Sequence, residues 1–282
     1  MRRVGICGAG LMGSGIAQTV AAGGYQVLLE DVDRPTVEKS LDRLAGRLRE
    51  RVERGRLSAE DRSQTLERIK AVETMDDLAD CDLVIEAVFE NAAVKRELFA
   101  DLDRACKADA LLATNTSTLS PTEIGSATKR PERTAGLHFF NPAPVMRLVE
   151  VIPGLATALE TTQTLKEFVS SLGKTPVVVQ DSAGGIVSRI LIAVRNEAAR
   201  MVMEGVATPE DIDTAMKLGA GWPMGPLALI DLIGVDLHVV NSDSLANELG
   251  ERFRPPPILR KMVRAGYFGQ KNGRGFYTYP RD

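Results

Sequence analysis

Two side chains that can share a proton lie twelve residues apart in the middle of the chain. His138 ends an apolar run, Ala135–Leu137, that is typical of a buried strand, and Glu150 lies within a second such run, Arg147–Ile152. Asn141-Pro142 between them predicts a change of chain direction, because proline disfavours helical dihedral angles in the residue before it. An adjacent strand pair would bring the carboxylate to one imidazole nitrogen and leave the other free as a base.

A histidine beside aromatic residues is more often a hydrogen-bonded core residue than a base. The chain has only two histidines, and the second, His238, lies in a helical pattern and is predicted to have no role in chemistry. The catalytic interpretation of His138 therefore depends on the motifs in the rest of the chain.

A glycine-rich turn near the N-terminus predicts a dinucleotide site. The strand pattern Arg3–Cys7 precedes Gly8-Ala-Gly-Leu-Met-Gly13, which opens a helix that reaches Ala22. The glycines allow a tight turn, close approach of a pyrophosphate and close helix–strand packing, while free N–H groups of the first helical turn bind phosphate. The predicted cofactor contacts are Gly8, Gly10, Leu11, Met12 and Gly13.

Asp31 follows the second strand pattern, Tyr25–Leu29, where an acid is expected to bind the ribose hydroxyls of the cofactor. Glu30 and Asp31 would repel the 2′-phosphate of NADP. The sequence therefore favours NAD.

Alternating strand and helix patterns predict an α/β, doubly wound, Rossmann-type and mostly parallel sheet over residues 1–183. Its later strands are predicted at Ala71–Thr74, Asp82–Val88, Leu111–Thr114, Arg133–His138, Arg147–Ile152 and Pro176–Gln180. Residues 184–282 predict a C-terminal all-helical domain, with helices at Ile186–Gly205, Pro209–Leu218, Gly225–Gly250 and Pro255–Ala265. Apolar surface in Ala198–Met203 and Leu227–Ile233 exceeds what one small core needs and predicts a homodimer through this domain.

Two further segments carry candidate ligand contacts. Thr114–Ser120 leaves the carboxyl end of a strand, where ligands bind such sheets, so Ser117 is predicted to face a ligand. Ser120 is instead predicted to cap the helix beginning at Pro121. In the predicted helix Pro35–Arg54, four arginines share one face, which is either a solvated surface or a cationic edge for a phosphorylated substrate: Arg43, Arg47, Arg51 and Arg54.

Composition and charge exclude several classes of function. Charged residues at 26% and hydrophobic residues at 44% are typical of a soluble globular protein. A net charge of −3 predicts neither a nucleic acid nor a membrane as partner. The three cysteines lack metal-ligand spacing and predict a reducing, cytoplasmic location without a metal site.

Together these motifs resemble the L-3-hydroxyacyl-CoA dehydrogenase family, and within it the short single-function form, over essentially the whole chain. The glycine-rich turn is shared with many dehydrogenases. Two blocks are more specific to the family, His138-Phe-Phe-Asn-Pro142 and Met224-Gly-Pro226, and the resemblance extends to the block Gly273-Arg-Gly-Phe-Tyr277.

The resemblance implies NAD-dependent oxidation of a short-chain (3S)-3-hydroxyacyl-CoA to the 3-ketoacyl-CoA, with His138 as the base and Glu150 orienting it. It implies that Ser117 bonds the substrate oxygen, that coenzyme A contacts Arg47 and Arg54, and that the nicotinamide side of the cofactor is contacted by Glu90, Lys95, Asn141 and Lys271. Two alternatives remain: a substrate tethered to acyl carrier protein, and a non-catalytic NAD-binding homologue.

One segment departs from the family pattern. The family has Pro-Gly-Phe-[Ile/Val]-Val-Asn-Arg, with the asparagine at the active site, where this chain has Ala183-Gly-Gly-Ile-Val-Ser-Arg189. Ser188 cannot present an amide donor and acceptor together. Either turnover is slower, or water or a differently shaped substrate fills the gap. Because Gly185 also replaces the phenylalanine, a reshaped pocket is favoured.

Overall fold

The computed structural model describes residues 1–280, which divide into two compact units that meet in sequence at Ser182 and Ala183. The first unit contains an eight-stranded sheet. Its strands are β1 (Arg3–Cys7), β2 (Gln26–Glu30), β3 (Ile69–Ala71), β4 (Leu83–Glu86), β5 (Leu111–Thr114), β6 (Thr134–Phe139), β7 (Leu148–Pro153) and β8 (Thr175–Val178). The helices of this unit are α1 (Leu11–Ala22), α2 (Arg34–Glu53), α3 (Ala59–Glu67), α4 (Ala92–Ala105), α5 (Pro121–Gly125) and α6 (Leu159–Ser171).

The strand order is β3-β2-β1-β4-β5-β6-β7-β8, and only the β6–β7 pair is antiparallel among the described strands. The prediction of a doubly wound, mostly parallel sheet is confirmed. The order reverses between β1 and β4, so the carboxyl ends of β1, β4, β5 and β6 lie at the edge where such sheets bind ligands.

The second unit is helical, with α7 (Val187–Glu204), α8 (Pro209–Gly219), α9 (Pro226–Ile233), α10 (Val235–Leu249) and α11 (Pro257–Arg264). None of the described helices of either unit is long and apolar enough to span a membrane.

Two predicted elements were wrong. The third strand is Ile69–Ala71 rather than Ala71–Thr74, because the buried Ile69 pairs with Val27 of β2. The helix predicted over Gly225–Gly250 is two helices, α9 and α10. Gly234 separates them at φ 109°, a backbone conformation that side-chain-bearing residues rarely adopt.

Two buried aspartates accept hydrogen bonds from backbone groups of the second unit. These bonds explain the glycines of the blocks Met224-Gly-Pro226 and Gly273-Arg-Gly-Phe-Tyr277. Asp213 accepts hydrogen bonds from the N–H groups of Leu227 and Ala228, at 2.8 Å each. Asp231 accepts from the N–H groups of Phe276 and Tyr277, at 3.0 and 2.9 Å. A Cβ atom on Gly225 would lie 2.1 Å from Asp213 Cγ, and one on Gly275 would lie 2.0 Å from Asp231 Oδ1. Glycine at both positions therefore makes room for the carboxylates.

His238 is a fully buried residue of the second unit. Asn196 Nδ2 donates to the Phe253 carbonyl, which makes Asn196 Oδ1 the acceptor for His238 Nε2 at 2.9 Å. Burial, assisted by the positive charge of Arg195, lowers the pKa of His238 to about 3. His238 is therefore a neutral core histidine with its proton on Nε2.

Candidate active site

The catalytic candidates His138 and Glu150 face each other across the only antiparallel strand pair among the described strands. His138 Nδ1 lies 2.9 Å from Glu150 Oε2, and both side chains are buried, Glu150 completely. An ionised carboxylate only accepts, so Nδ1 carries the proton and Nε2 has a lone pair. No other described residue bonds Nε2. The pair therefore leaves Nε2 as the imidazole nitrogen that can accept a hydrogen bond from a ligand.

The sheet itself creates this pair. Residues directly opposite in an antiparallel ladder project to the same face, and the register pairs His138 with Glu150. Glu150 is itself fully buried, so its carboxylate has no contact with bulk water. The ring centroid of Phe140 lies 4.4 Å from that of His138 and covers the imidazole.

Ser117 lies in a turn that is held by a single carboxylate. Glu90 Oε1 accepts from the N–H groups of Ser117 and Thr118, at 3.0 and 3.1 Å, and from the hydroxyl groups of Thr116 and Thr118, at 2.5 and 3.1 Å. These bonds engage the backbone of the turn, and the Ser117 hydroxyl has no partner among the described residues. The serine is thus held in position with its hydroxyl available.

A buried lysine holds Glu90 in turn. Lys95 Nζ lies 2.7 Å from Glu86 Oε1 and 3.1 Å from Glu90 Oε2, and the Lys95 side chain is 1% exposed. The positive charge of Lys95 and the hydrogen bonds from the 116–118 turn hold the pKa of Glu90 below its usual value, against the opposing effect of burial. Glu86 Oε2 accepts from the Thr114 hydroxyl at 2.7 Å, so the network also reaches the end of β5.

One bond ties the serine turn to the histidine strand. Asn115 Oδ1 accepts from the backbone N–H of Phe139 at 2.8 Å, next to His138 in sequence. Since β5 and β6 are parallel neighbours, this bond fixes the two carboxyl ends relative to each other. Ser117 and His138 therefore belong to one braced edge of the sheet.

The glycine-rich turn fits a dinucleotide. A Cβ atom on Gly13 would lie 1.7 Å from the Gly8 carbonyl oxygen, whereas one on Gly10 would meet no atom within 4 Å. Gly10 thus borders open space at the N-terminus of α1, which has no side-chain cap to occupy its free N–H groups. Asp31 Oδ2 accepts from the Ala9 N–H at 2.6 Å, which places the acid against the turn.

The other predicted contacts are distributed over both units. In the first unit, Asn141 is exposed three residues after His138, the Arg47 guanidinium lies 3.5 Å from the Ser14 hydroxyl, and Arg54 pairs with Glu50 at 3.8 Å. In the second unit, Ser188 lies half-buried in the first turn of α7, and Lys271 Nζ lies 2.6 Å from Asp236.

Three residues of the site were not predicted from the sequence: Glu86, Asn115 and Asp181. Asp181 accepts from the Ser120 hydroxyl at 2.6 Å and from the Thr122 N–H at 2.9 Å, which secures the start of α5. Ser120 caps α5 as predicted, accepting from the Glu123 N–H at 3.2 Å. A signal for Glu86 existed, because it is the one charged residue of the buried strand β4.

Comparison with known proteins identifies the family of this chain. The model of the 3-hydroxyacyl-CoA dehydrogenase NAD binding domain matches residues 3–182, and that of the C-terminal domain matches residues 184–279. The chain belongs to the 3-hydroxyacyl-CoA dehydrogenase family. Its cofactor is NAD, consistent with the fit of the glycine-rich turn.

Named relatives of this family are similar over nearly the whole chain. A probable 3-hydroxybutyryl-CoA dehydrogenase of Bacillus subtilis is 46% identical, covering 99% of this chain and 98% of the relative. A 3-hydroxyadipyl-CoA dehydrogenase of Escherichia coli is also 46% identical, covering 99% of this chain but 59% of the relative. The crystal structure of (S)-3-hydroxybutyryl-CoA dehydrogenase from Ralstonia eutropha superposes with a TM-score of 0.97 at 41% identity, covering 100% of both chains.

Replacement of Lys95 tests whether the stability of the protein depends on the pairing of the buried Glu86 carboxylate with the Lys95 ammonium. Lys95→Met leaves Glu86 fully buried without its counter-charge and should lower the free energy of unfolding by roughly 3–5 kcal/mol. Adding Glu86→Gln should restore a large part of that loss, because the buried charge is then gone. Urea denaturation of the wild type, both single variants and the double variant measures the coupling. Additive losses would contradict the proposed dependence of Glu86 on Lys95.

Proposed function

We propose that the protein catalyses the reversible, NAD-dependent oxidation of a short-chain (3S)-3-hydroxyacyl-CoA to the 3-ketoacyl-CoA. The observation that carries this proposal is the buried His138–Glu150 pair at the ligand-binding edge of an NAD-binding sheet. The names of the relatives at 45–46% identity support a coenzyme A thioester as the substrate.

In this proposal His138 is the general base. Its Nε2 takes the proton of the C3 hydroxyl, and the hydrogen on C3 leaves as a hydride, so the C–O single bond becomes a carbonyl. Bound NAD supplies the acceptor for the hydride. Glu150 holds the imidazole in its Nδ1–H form and stabilises the imidazolium that forms, at a distance of 2.9 Å.

Ser117 and the Glu90 network complete the proposed site. The Ser117 hydroxyl donates to the oxygen on C3 of the substrate, and Glu90 keeps that hydroxyl in place through the backbone of its turn. Asn141 and Lys271 are proposed to contact the nicotinamide side of the cofactor. We assign Lys95 an indirect role, because its ammonium lies between Glu86 and Glu90 and is 1% exposed.

Ser188 is proposed to help set which acyl group is accepted. Gly185 adopts φ 51°, in the left-handed region that favours glycine. The backbone conformation is therefore sufficient to explain why glycine stands where the family has phenylalanine. A reshaped acyl pocket would therefore be due to Ser188, whose single hydroxyl replaces an amide. The similar identities to 3-hydroxybutyryl-CoA and 3-hydroxyadipyl-CoA dehydrogenases support variation of the acyl group within this fold.

A homodimer through the second unit is proposed on the apolar surface of its helices. Exposed large hydrophobic residues occur on α7, α9 and α10: Ile190, Met203, Leu232, Leu237 and Val240. Such side chains are normally covered in a soluble protein when they cluster. Sedimentation equilibrium should give twice the chain mass of 30.5 kDa, and a monomer mass at micromolar concentration would contradict the proposal.

The two histidines give the kinetic test a matched control. The wild type should oxidise NADH with acetoacetyl-CoA, and His138→Ala should lower kcat by at least about 10²-fold with little change in NADH affinity. His238→Gln removes the other histidine and should retain kcat, because His238 is buried in the helical core. Near-normal kcat in His138→Ala would remove this histidine from the mechanism.

A panel of acyl chains tests the substrate assignment in the same assay. Acetoacetyl-CoA should give a higher kcat/KM than long-chain 3-ketoacyl-CoA thioesters, and a preference for a long or dicarboxylic chain would correct the short-chain assignment and point to Ser188. No turnover of any 3-ketoacyl-CoA by the wild type would overturn the proposed function.

A further inference from the structure

The loop that joins β6 to β7, residues 140–147, connects the strands of His138 and Glu150. Most of its side chains are exposed or half-buried, and only that of Ala143 is buried, at 2% exposure. Asn141, the proposed contact of the nicotinamide, is exposed, and its side chain forms no hydrogen bond with a described residue. The position of Asn141 therefore depends on what holds the backbone of this loop.

The 140–147 loop closes on itself and packs against the helix that follows the glycine-rich turn. The Pro142 carbonyl accepts from the N–H groups of Val145 and Met146, at 2.9 and 3.0 Å. A Cβ atom on Gly15 of α1 would lie 3.3 Å from Ala143 Cβ, which is tighter than an ordinary van der Waals contact. Glycine at position 15 therefore lets the loop lie close against α1.

One ammonium group binds the loop at two points. Lys174 Nζ donates to the carbonyl groups of Ala143 and Met146, at 2.7 and 2.6 Å, and forms no ion pair with a carboxylate among the described residues. Hydrogen bonds from a charged donor are stronger than those between neutral groups. The next residue, Thr175, donates its N–H to the Arg147 carbonyl at 2.8 Å, where β8 begins to pair with β7. Lys174 therefore ties the loop backbone to the sheet.

We propose that Lys174 is a positioning residue for the cofactor, because it holds the 140–147 loop so that Asn141 reaches the nicotinamide side of NAD. The inference rests on the proposed function, which assigns that contact to Asn141. Lys174 itself acts through the loop and touches neither substrate nor cofactor. The catalytic pair does not need this clamp, because the strand register places His138 opposite Glu150. Loss of Lys174 should therefore weaken cofactor binding and leave proton transfer intact.

Hydrogen exchange measures the loop directly. In Lys174→Met the amides of Val145 and Met146 should exchange at least about threefold faster than in the wild type, because the turn that they close has lost two bonds to its backbone. Lys166→Met is the matched control, since Lys166 is also half-buried and its ammonium bonds, among the described residues, only Gln163 of the same helix. It should leave exchange in the loop unchanged. Unchanged exchange in Lys174→Met would overturn the inference.

NADH binding tests the consequence for the cofactor and needs no turnover. By nicotinamide fluorescence, Lys174→Met should raise Kd for NADH at least about fivefold, while kcat with saturating NADH and acetoacetyl-CoA stays within about twofold. Lys166→Met should match the wild type in both. Lys174→Gln, whose shorter side chain cannot reach both carbonyl groups, should reproduce these effects and replaces the methionine variant if that does not fold.

The same measurement separates this inference from the proposed function. An unchanged Kd for NADH in Lys174→Met would overturn the inference even if the wild type reduces acetoacetyl-CoA. A raised Kd would support it even if the wild type reduces no thioester. A loss of kcat with unchanged Kd would overturn it as well, because Lys174 would then act on the reaction and not on the cofactor.

A double-variant cycle tests whether Lys174 acts through Asn141. Asn141→Ala should weaken NADH binding by itself. Adding Lys174→Met should then change Kd by less than about twofold, because the side chain that the loop positions is already gone. The same factor for Lys174→Met in both backgrounds would overturn the inference, since Lys174 would then affect the cofactor by a route that does not include Asn141.

Discussion

The site depends on one constraint, which is that the fully buried carboxylate of Glu150 must be satisfied within the protein. A buried charge without hydrogen bonds is too costly to keep, so the carboxylate holds a proton donor against itself. The antiparallel register supplies His138 Nδ1 at 2.9 Å. The same interaction that stabilises the carboxylate also fixes the tautomer of the imidazole, and the free lone pair on Nε2 follows from it.

A second buried carboxylate, that of Glu86 on β4, is paired with an ammonium group, that of Lys95. Glu86 and Lys95 are buried together, and Glu90 accepts a second hydrogen bond from the same ammonium group. Glu90 also accepts hydrogen bonds from N–H and hydroxyl groups of the turn that carries Ser117. Two buried charge systems, one on β6 and β7 and one on β4 and α4, thus brace the same edge of the sheet. Asn115 joins them through the backbone of Phe139.

The sequence predicted the sheet and the positions of His138, Glu150 and the glycine-rich turn, because these depend on local patterns of buried strands and tight turns. It did not predict the break at Gly234, since a single glycine in a helical pattern does not reveal its backbone angle. Nor did it predict that Lys95 would be enclosed or that Asn115 would bond Phe139. Asn115 and Phe139 are separated by 24 residues and are brought together only by the pairing of β5 with β6. His238 lies in a helix as predicted, but its burial with Asn196 depends on helix packing that the sequence pattern does not specify.

The most direct test of the central claim is nitrogen-15 NMR of histidine-labelled protein at neutral pH, which reports the protonation of each ring nitrogen. The chain has only two histidines, so the spectrum of His238→Gln assigns the signals of each one. We expect a neutral His138 protonated at Nδ1 and a neutral His238 protonated at Nε2. In Glu150→Gln the preference of His138 for Nδ1–H should weaken. A neutral His138 protonated at Nε2 in the wild type would contradict the account, because the nitrogen assigned to the substrate would then carry no lone pair.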